Sequence, residues 1–159
     1  MGIEIERKFL IAHDSWRHGV TGTAYAQGYI LRGSGRTVRV RIAGEKAFIT
    51  IKGPVVGISR AEFEYSIPTE DARELLLLCE SPLIEKTRYK IHVEGHIWEI
   101  DEFHGENDGL IVAEVELSRP EEPISFPSWL GKEVTGDSRY YNSNLTIHPY
   151  RGWDHECSL

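Results

Sequence analysis

Apolar and polar residues alternate along most of this chain, with the two-residue period of β-strands whose two faces meet different surroundings. In Ile3-Glu4-Ile5-Glu6-Arg7-Lys8-Phe9, for instance, Glu4, Glu6 and Lys8 share one face, and Ile3, Ile5 and Phe9 share the other. The alternation predicts strands over about 3–12, 23–33, 36–43, 46–52, 59–67, 84–93, 97–103 and 111–118. Gly33-Ser34-Gly35, Gly44-Glu45 and Glu94-Gly95 read as hairpin turns, because glycine supplies the positive φ that tight turns need. One helix is predicted from about 70 to 80, with Thr69 as its cap, Glu70 and Asp71 at the positive end of its dipole and Ser81-Pro82 as its stop. Asp14 to His18 has the composition of a single helical turn, and a second short helix is expected near Asp137. Pro120 to Pro127 is a proline-punctuated connection, and the segment after Pro149 reads as a loose tail. With no repeat and no linker, this predicts one α+β domain dominated by antiparallel sheet, over residues 1–148, followed by a tail over 149–159.

The polar face of nearly every strand is ionic. Arg39 and Arg41 share a face, as do Thr50 and Lys52, Arg60, Glu62 and Glu64, Lys86 and Arg88, Glu99 and Asp101, and Glu114 and Glu116. Two architectures produce this pattern. In a sandwich the apolar faces meet and the charges look out to water. In a barrel with a polar lumen the charges look inward and helices and loops cover the apolar outside. Frequency favours the sandwich. Against it, a wet face ordinarily mixes Ser, Thr, Gln, Asn and Lys, whereas these positions are sorted by sign. Acidic strands (4/6, 62/64, 99/101, 114/116) alternate with basic ones (39/41, 52, 86/88). A lumen that receives a polyanion together with metal cations needs both signs, and buried charge of one sign alone would be prohibitively costly.

Composition narrows the function classes. The 159 residues suffice for one domain with a proper core, and 40% hydrophobic with 27% charged residues is ordinary for a globular protein. A formal net charge of −7 argues against a general nucleic-acid-binding surface, but not against a local basic site for a small anion. No apolar run reaches membrane-spanning length and no basic-then-apolar leader opens the chain, so a cytoplasmic protein with no membrane partner is expected. Two cysteines, Cys79 and Cys157, make no disulfide framework and fit a reducing compartment; Cys79 reads as a small core residue. The seven histidines are scattered without the spacing of a zinc site. Clustered carboxylates without cysteine or paired histidine select a hard cation, Mg²⁺ or Mn²⁺. Arginines grip phosphate oxygens bidentately and lysines act as point charges. That combination suits phosphoryl transfer, which asks chiefly for positioning and electrostatic stabilisation.

Glu4-Ile5-Glu6-Arg7-Lys8 resembles the ExExK signature of the CYTH domain, or triphosphate tunnel metalloenzyme, superfamily. The resemblance continues through Gln27-Gly28-Tyr29-Ile30, Arg39-Val40-Arg41, Thr50-Ile51-Lys52, Arg60-Ala61-Glu62-Phe63-Glu64, Glu85-Lys86-Thr87-Arg88-Tyr89, Glu99-Ile100-Asp101 and Glu114-Val115-Glu116. It ends in Gly131-Lys132-Glu133-Val134-Thr135 and Arg139-Tyr140-Tyr141-Asn142. It implies an eight-stranded antiparallel barrel forming a tunnel with a charged lumen and a few outer helices, in place of the sandwich. It further implies metal ligation chiefly by Glu4, Glu6, Glu114 and Glu116, with Glu62 and Glu64 as further metal ligands and Asp101 among the acidic lining that ligates metal or positions water. Phosphate would be bound by Lys8, Arg39, Arg41, Lys52, Lys86, Arg88 and Arg139. Lys8, Glu6 and Asp101 are the residues expected at the chemistry itself. For Glu99, Arg60 and Lys132 a surface or tunnel-mouth ion pair is at least as good a reading, and Tyr29 is equally a core residue or a partner of a tunnel lysine.

Similar proteins hydrolyse inorganic triphosphate, thiamine triphosphate or RNA 5′-triphosphate ends, and one branch cyclises ATP. The compact domain, the EIERKFL start and the EKTRY and WLGKEVT segments look most like small bacterial inorganic triphosphatases. The expectation is therefore Mg²⁺- or Mn²⁺-dependent hydrolysis of triphosphate to pyrophosphate and phosphate, with weaker activity on nucleoside triphosphates. An adenylate cyclase of the class IV type, a thiamine triphosphatase and a non-catalytic polyphosphate or nucleotide sensor are the alternatives. The partner expected is a small triphosphate and not nucleic acid, and the resemblance leaves room for a homodimer.

Overall fold

A computed structural model describes residues 2–153 of the chain. Cys157, His155 and the remainder of the expected tail lie outside the described residues. The strands are β1 (Ile3–Ile11), β2 (Thr23–Gly33), β3 (Arg36–Ala43), β4 (Lys46–Val56), β5 (Ser59–Ile67), β6 (Ile84–Val93), β7 (His96–Phe103), β8 (Ile111–Glu116) and β9 (Leu130–Glu133), with helices α1 (Thr69–Leu76) and α2 (Asn142–Leu145). The eight expected strands are present within a few residues of their predicted bounds, and every pairing among them is antiparallel. The turns behave as their glycines require: Ser34 and Gly35, Gly44, and Glu94 and Gly95 all have positive φ.

The strand order is β5-β4-β3-β2-β6-β7-β8-β1. It returns to its start because β1 also pairs with β5, through Ile3 with Ala61, Glu4 with Arg60 and Ile5 with Ser59. The contact with β5 covers only the first part of β1. Farther along, β9 takes the same edge, facing Phe9 and Ile11 across a register shift. The N–H and C=O groups of β1 are thus used on both edges along its length, which removes an exposed edge. The polar faces of β1, β3, β4, β5, β6 and β8 look into the space enclosed by this order.

The apolar faces look outward and are covered unequally. Phe9, Trp98, Ile100, Val115, Leu117 and Trp129 form the largest cluster, closed by Trp16 from the 3-10 turn Asp14–Arg17. Trp98 meets Phe9 and Trp129 edge-on, with ring centroids 5.6 and 5.8 Å away, which satisfies the aromatic quadrupoles. A second cluster joins Ile84, Phe103, Leu110 and Val112 to Val134, Tyr140 and Leu145. The third lies under α1, where Ala72 packs on Val40 and Ala47. Gly28 on β2 makes that packing close, since a Cβ there would come within 2.6 Å of Leu83 and 2.7 Å of Cys79. Cys79 accordingly sits half-buried as a small packing residue.

Three details depart from the expectations. Thr69 is the first helical residue and does not cap α1: Pro68 occupies the cap position, and no side chain bonds there. The helix near Asp137 is a 3-10 turn, Ser138–Tyr140, begun by the Asp137 side chain accepting from the Arg139 N–H, and then α2. The described part of the tail is not loose. The Trp153 ring packs edge-on against Tyr140 and Tyr150, and Asn107 Oδ1 accepts from the Tyr150 N–H at 2.8 Å.

Candidate active site

Strand register brings the charges together. Residues directly opposite on antiparallel neighbours hold their Cβ atoms about 5 Å apart, so register alone dictates which charges meet. Lys8 on β1 lies opposite Glu114 on β8, and Glu6 opposite Glu116. Arg88 on β6 lies opposite Asp101 on β7, and Lys52 on β4 opposite Glu62 on β5. Apart from Asp101, these side chains line a cavity of about 140 Å³. Lys8 Nζ is 3.2 Å from Glu114, and Lys52 Nζ donates to both oxygens of Glu4 at 2.9 and 3.0 Å. Arg88 donates to both oxygens of Asp101 at 2.7 and 2.8 Å, and Lys86 Nζ sits 2.8 Å from the same carboxylate. The ring of Tyr25 underlies this group, with Arg88 at 4.9 Å and Arg41 at 5.1 Å from its centroid, so a π-face helps to hold the crowded cations.

Seven basic and six acidic side chains line the cavity: Lys8, Arg39, Arg41, Lys52, Arg60, Lys86 and Arg88 against Glu4, Glu6, Glu62, Glu99, Glu114 and Glu116. Their protonation is far from ordinary. Burial first, then the neighbouring carboxylates of Glu114 and Glu4, push Glu6 up to about 8. Burial and nearby carboxylates likewise raise Glu62 and Glu116. Glu114 moves the opposite way, to about 2: burial works to raise it, but Lys8, Arg88 and Lys86 outweigh that. Burial lowers Lys86 to about 7 in spite of Asp101, and lowers Arg41 to about 10 with help from Arg39 and Arg88. For Lys8, burial opposes the charge, yet Glu114 and Glu6 overcome it and the ammonium is held above its usual value. Arg39 and Arg41 each bury an Nε donor that has no hydrogen-bond partner, and an unmet buried donor costs about 1–3 kcal/mol. Both arginines line the cavity, where an anion would meet their guanidinium groups.

Of the residues expected in the site, Glu4, Glu6, Lys8, Arg39, Arg41, Lys52, Glu62, Lys86, Arg88, Glu114 and Glu116 line this one cavity. Three do not. Asp101 is fully buried behind Lys86 and Arg88 and anchors them from outside the cavity wall. Glu64 is engaged by Thr50 at 2.8 Å and by Arg39 and Arg41 at 3.5 Å, where it steadies the two arginines. Arg139 leaves 62% of its side chain exposed, pairs with Asp137 at 2.8 Å and stacks over Tyr140 and Trp153; the 3-10 turn that carries it points it away from the cavity. Glu99 and Arg60, taken as peripheral, do line the wall. Glu99 lies 3.3 Å from Arg88, whereas Arg60 is used up on the carbonyls of Gly53 and Gly35. Lys132 is exposed, as are Lys90 and the Arg7–Glu133 pair, all outside the site. Tyr29 is buried at the cavity wall, and it is Asp101 and Asn142, not Tyr29, that hold Lys86.

The charge pattern alone misses several wall residues because they are neutral. Thr37, Tyr141, Asn142, Ser143 and Thr135 line the cavity, and Gln27 lies buried behind Asn142. For Gln27 and Tyr25 there is a signal: they share the inward parity of β2 with Tyr29. Residues 141–143 are outside any strand and carry no parity.

A hard cation fits the donor set. Glu6 and Glu116 face each other across β1 and β8, no lysine or arginine among the described residues lies within ion-pair distance of either, and both are pushed toward their neutral forms. A cation between them would relieve that repulsion. Among the described residues, no group of three or more His, Cys, Asp or Glu side chains stands ready as a metal cage. Glu4 and Glu114 are spoken for by lysines, so they would join a cation only by exchanging those partners.

Residues 2–146 match the model of the CYTH domain. The chain is similar to an inorganic triphosphatase of Acetivibrio thermocellus, 49% identical over 154 residues that cover 96% of this chain and 99% of that protein. It is also similar to an inorganic triphosphatase of Nitrosomonas europaea, 36% identical over 91% of this chain and 97% of that one. Among solved structures, the crystal structure of an inorganic triphosphatase superposes with a TM-score of 0.66 at 31% identity, covering 90% of this chain and 97% of its own.

Proposed function

The chain belongs to the CYTH domain family, and from that premise we propose that it is a metal-dependent inorganic triphosphatase. It would take linear triphosphate and water to pyrophosphate and phosphate. The observation that carries this reading is the single cavity in which Lys8, Arg39, Arg41, Lys52, Lys86 and Arg88 converge with Glu4, Glu6, Glu114 and Glu116. Proteins similar over almost the whole chain bear that activity in their names, which supports it. We read the returning strand order as an eight-stranded barrel and the cavity as its tunnel, with residues 1–148 as the domain.

The division of labour follows from the charges. Lys8, held cationic by Glu114 and Glu6, and the arginine pair Arg39 and Arg41, with buried donors to satisfy, would grip phosphoryl oxygens. Arg88 is braced bidentately by Asp101, so its remaining donors keep a fixed aim. Asp101 and Glu64 would then act as positioning residues. The wall has seven basic and six acidic groups and is close to neutral, whereas triphosphate brings roughly four to five negative charges. The balance calls for accompanying divalent cations. Glu6 and Glu116 would hold such a cation, joined by Glu4, Glu62 and Glu114 as lysine partners turn to phosphate. Mg²⁺ or Mn²⁺ bound there would supply charge neutralisation and a water of lowered pKa. In the overall reaction a water oxygen would form the new bond to phosphorus as the P–O–P bridge breaks, the bridging oxygen would leave on the other phosphate product, and the water's proton would pass to solvent.

The test is to incubate the protein with inorganic triphosphate and separately with ATP, under Mg²⁺, under Mn²⁺ and under EDTA, resolving products by ion chromatography. Equimolar phosphate and pyrophosphate from triphosphate, abolished by EDTA, is the expected result. Cyclic AMP as the main product from ATP would assign a cyclase, and tight binding without turnover would assign a sensor; either overturns the proposal.

A further inference from the structure

The wall of the cavity contains one neutral amide whose orientation is dictated by its neighbours. Asn142 Oδ1 accepts from Lys86 Nζ at 2.9 Å and from Gln27 Nε2 at 3.1 Å. Both donors approach the same oxygen. In the ammonium form, which the Asp101 carboxylate 2.8 Å away favours, Lys86 has no lone pair to offer, so the amide cannot be turned over without setting N–H against N–H. Gln27 is fully buried, which makes it a rigid brace, and its own Oε1 has no partner. The two N–H donors of Asn142 Nδ2 bond to no group among the described residues, and Asn142 lines the cavity.

The backbone beneath Asn142 is pinned as well. Arg32 Nη1 donates to the Ser143 carbonyl at 2.8 Å and to Thr146 Oγ1, while the same guanidinium holds Glu80 at 2.8 Å. The segment that carries Asn142 is thereby fastened to β2. A donor pair fixed in direction and left unused, next to the Lys86 ammonium, has one obvious complement in a cavity built for an anion.

Resting on the triphosphatase reading above, we propose that Asn142 is a further substrate-binding residue, donating from Nδ2 to a phosphoryl oxygen with its rotamer set by Lys86 and Gln27. It adds a directional amide contact to a cavity whose other phosphate-facing groups are chiefly lysines and arginines. This contact reads the angle of the phosphate chain, not only its charge.

Three variants test it, each first checked for an unchanged melting profile: Asn142→Ala, Asn142→Asp and Ser143→Asp. Steady-state hydrolysis of inorganic triphosphate is measured along with calorimetric binding of triphosphate in the absence of divalent ions. Asn142→Ala should lose about tenfold in kcat/KM and in affinity, chiefly through KM, the scale of a hydrogen bond to a charged acceptor. Asn142→Asp keeps an acceptor for Lys86 and Gln27 but deletes the donors, so it should fall below Asn142→Ala. It should also fall below Ser143→Asp, which places the same charge on the same wall without touching Lys86. An Asn142→Asp protein at or above the alanine variant would mean that Asn142 serves only to hold Lys86, and would overturn the inference. An alanine variant equal to wild type would do the same. Wild type that hydrolyses no triphosphate would instead reject the activity itself, and the binding measurement would still judge Asn142.

Discussion

Asp101→Asn is the substitution whose cost can be worked from the structure. The carboxylate is fully buried, receives two hydrogen bonds from Arg88 and lies 2.8 Å from Lys86 Nζ. Burial alone would raise its pKa; Arg88 and then Lys86 reverse that and hold it well below the usual carboxylate range. Asparagine keeps the shape and removes the charge, leaving the buried Arg88 guanidinium, and Lys86 wherever it is protonated, without that counter-charge. Breaking a buried pair in this way costs about 3–5 kcal/mol, and the Arg88 part does not depend on pH in the neutral range, because the guanidinium cannot shed its proton. Lys86 behaves differently. Its pKa is about 7 in the fold against 10.5 in the unfolded chain. Between those values the unfolded chain binds more protons, so this residue makes wild-type stability rise with pH and its penalty levels off below pH 7. Without Asp101 its pKa falls further, and the penalty keeps growing as pH drops, by about 1.4 kcal/mol per unit. We therefore expect Asp101→Asn to cost about 3 kcal/mol at pH 8 and about 4.5 kcal/mol at pH 6. Urea unfolding in EDTA at pH 6, 7 and 8, followed by tryptophan fluorescence, measures both numbers. A cost below about 1 kcal/mol at pH 8, or one that shrinks toward pH 6, would refute the idea that Asp101 is the shared counter-ion of Lys86 and Arg88.

Other consequences can be checked more briefly. Gly131→Ala puts a Cβ 2.9 Å from the Leu10 carbonyl oxygen and 3.1 Å from its carbon, both backbone, so β9 must shift; calorimetry should show a loss of about 1–3 kcal/mol, and an unchanged melting temperature would contradict the tight β1–β9 approach. Arg139→Ala should stay within about threefold of wild-type kcat/KM while Arg39→Ala falls about a hundredfold, the difference between a solvated and a buried charge contact; equal losses would put Arg139 back in the site. Glu133→Gln breaks a bidentate but exposed pair with Arg7, and should change unfolding free energy by less than about 1 kcal/mol, since solvent screens it; a larger loss would make that pair structural.

What the sequence discloses here depends on whether a residue sits where a period applies. On β1, β3, β4, β5, β6 and β8 the two-residue alternation names both the strand and the face, so Glu6, Lys8, Arg39, Lys52, Lys86 and Glu114 can be assigned to one surface before any coordinates. Alternation does not say whether that surface is inside or out. Closure depends on β1 meeting β5 as well as β8, a long-range pairing that no local pattern encodes, and the family resemblance supplied it. β9 escapes notice for a related reason. Leu130-Gly131-Lys132-Glu133 is short, contains a glycine and follows a proline-rich connection, so it becomes a strand only because β1 offers a free edge. The misplacement of Arg139 and the omission of Asn142 have one cause. Both lie after the last strand of the ring, where no parity ties a residue to a direction, so Arg139 rests on the family resemblance and its charge alone. That guide selects the exposed arginine and overlooks the amide. The relevant property of Asn142 is that its oxygen is claimed twice and its nitrogen not at all. Hydrogen-bond accounting reveals this once neighbours are known, and in a cavity crowded with ions the neutral residue with unspent donors is the one composition cannot rank.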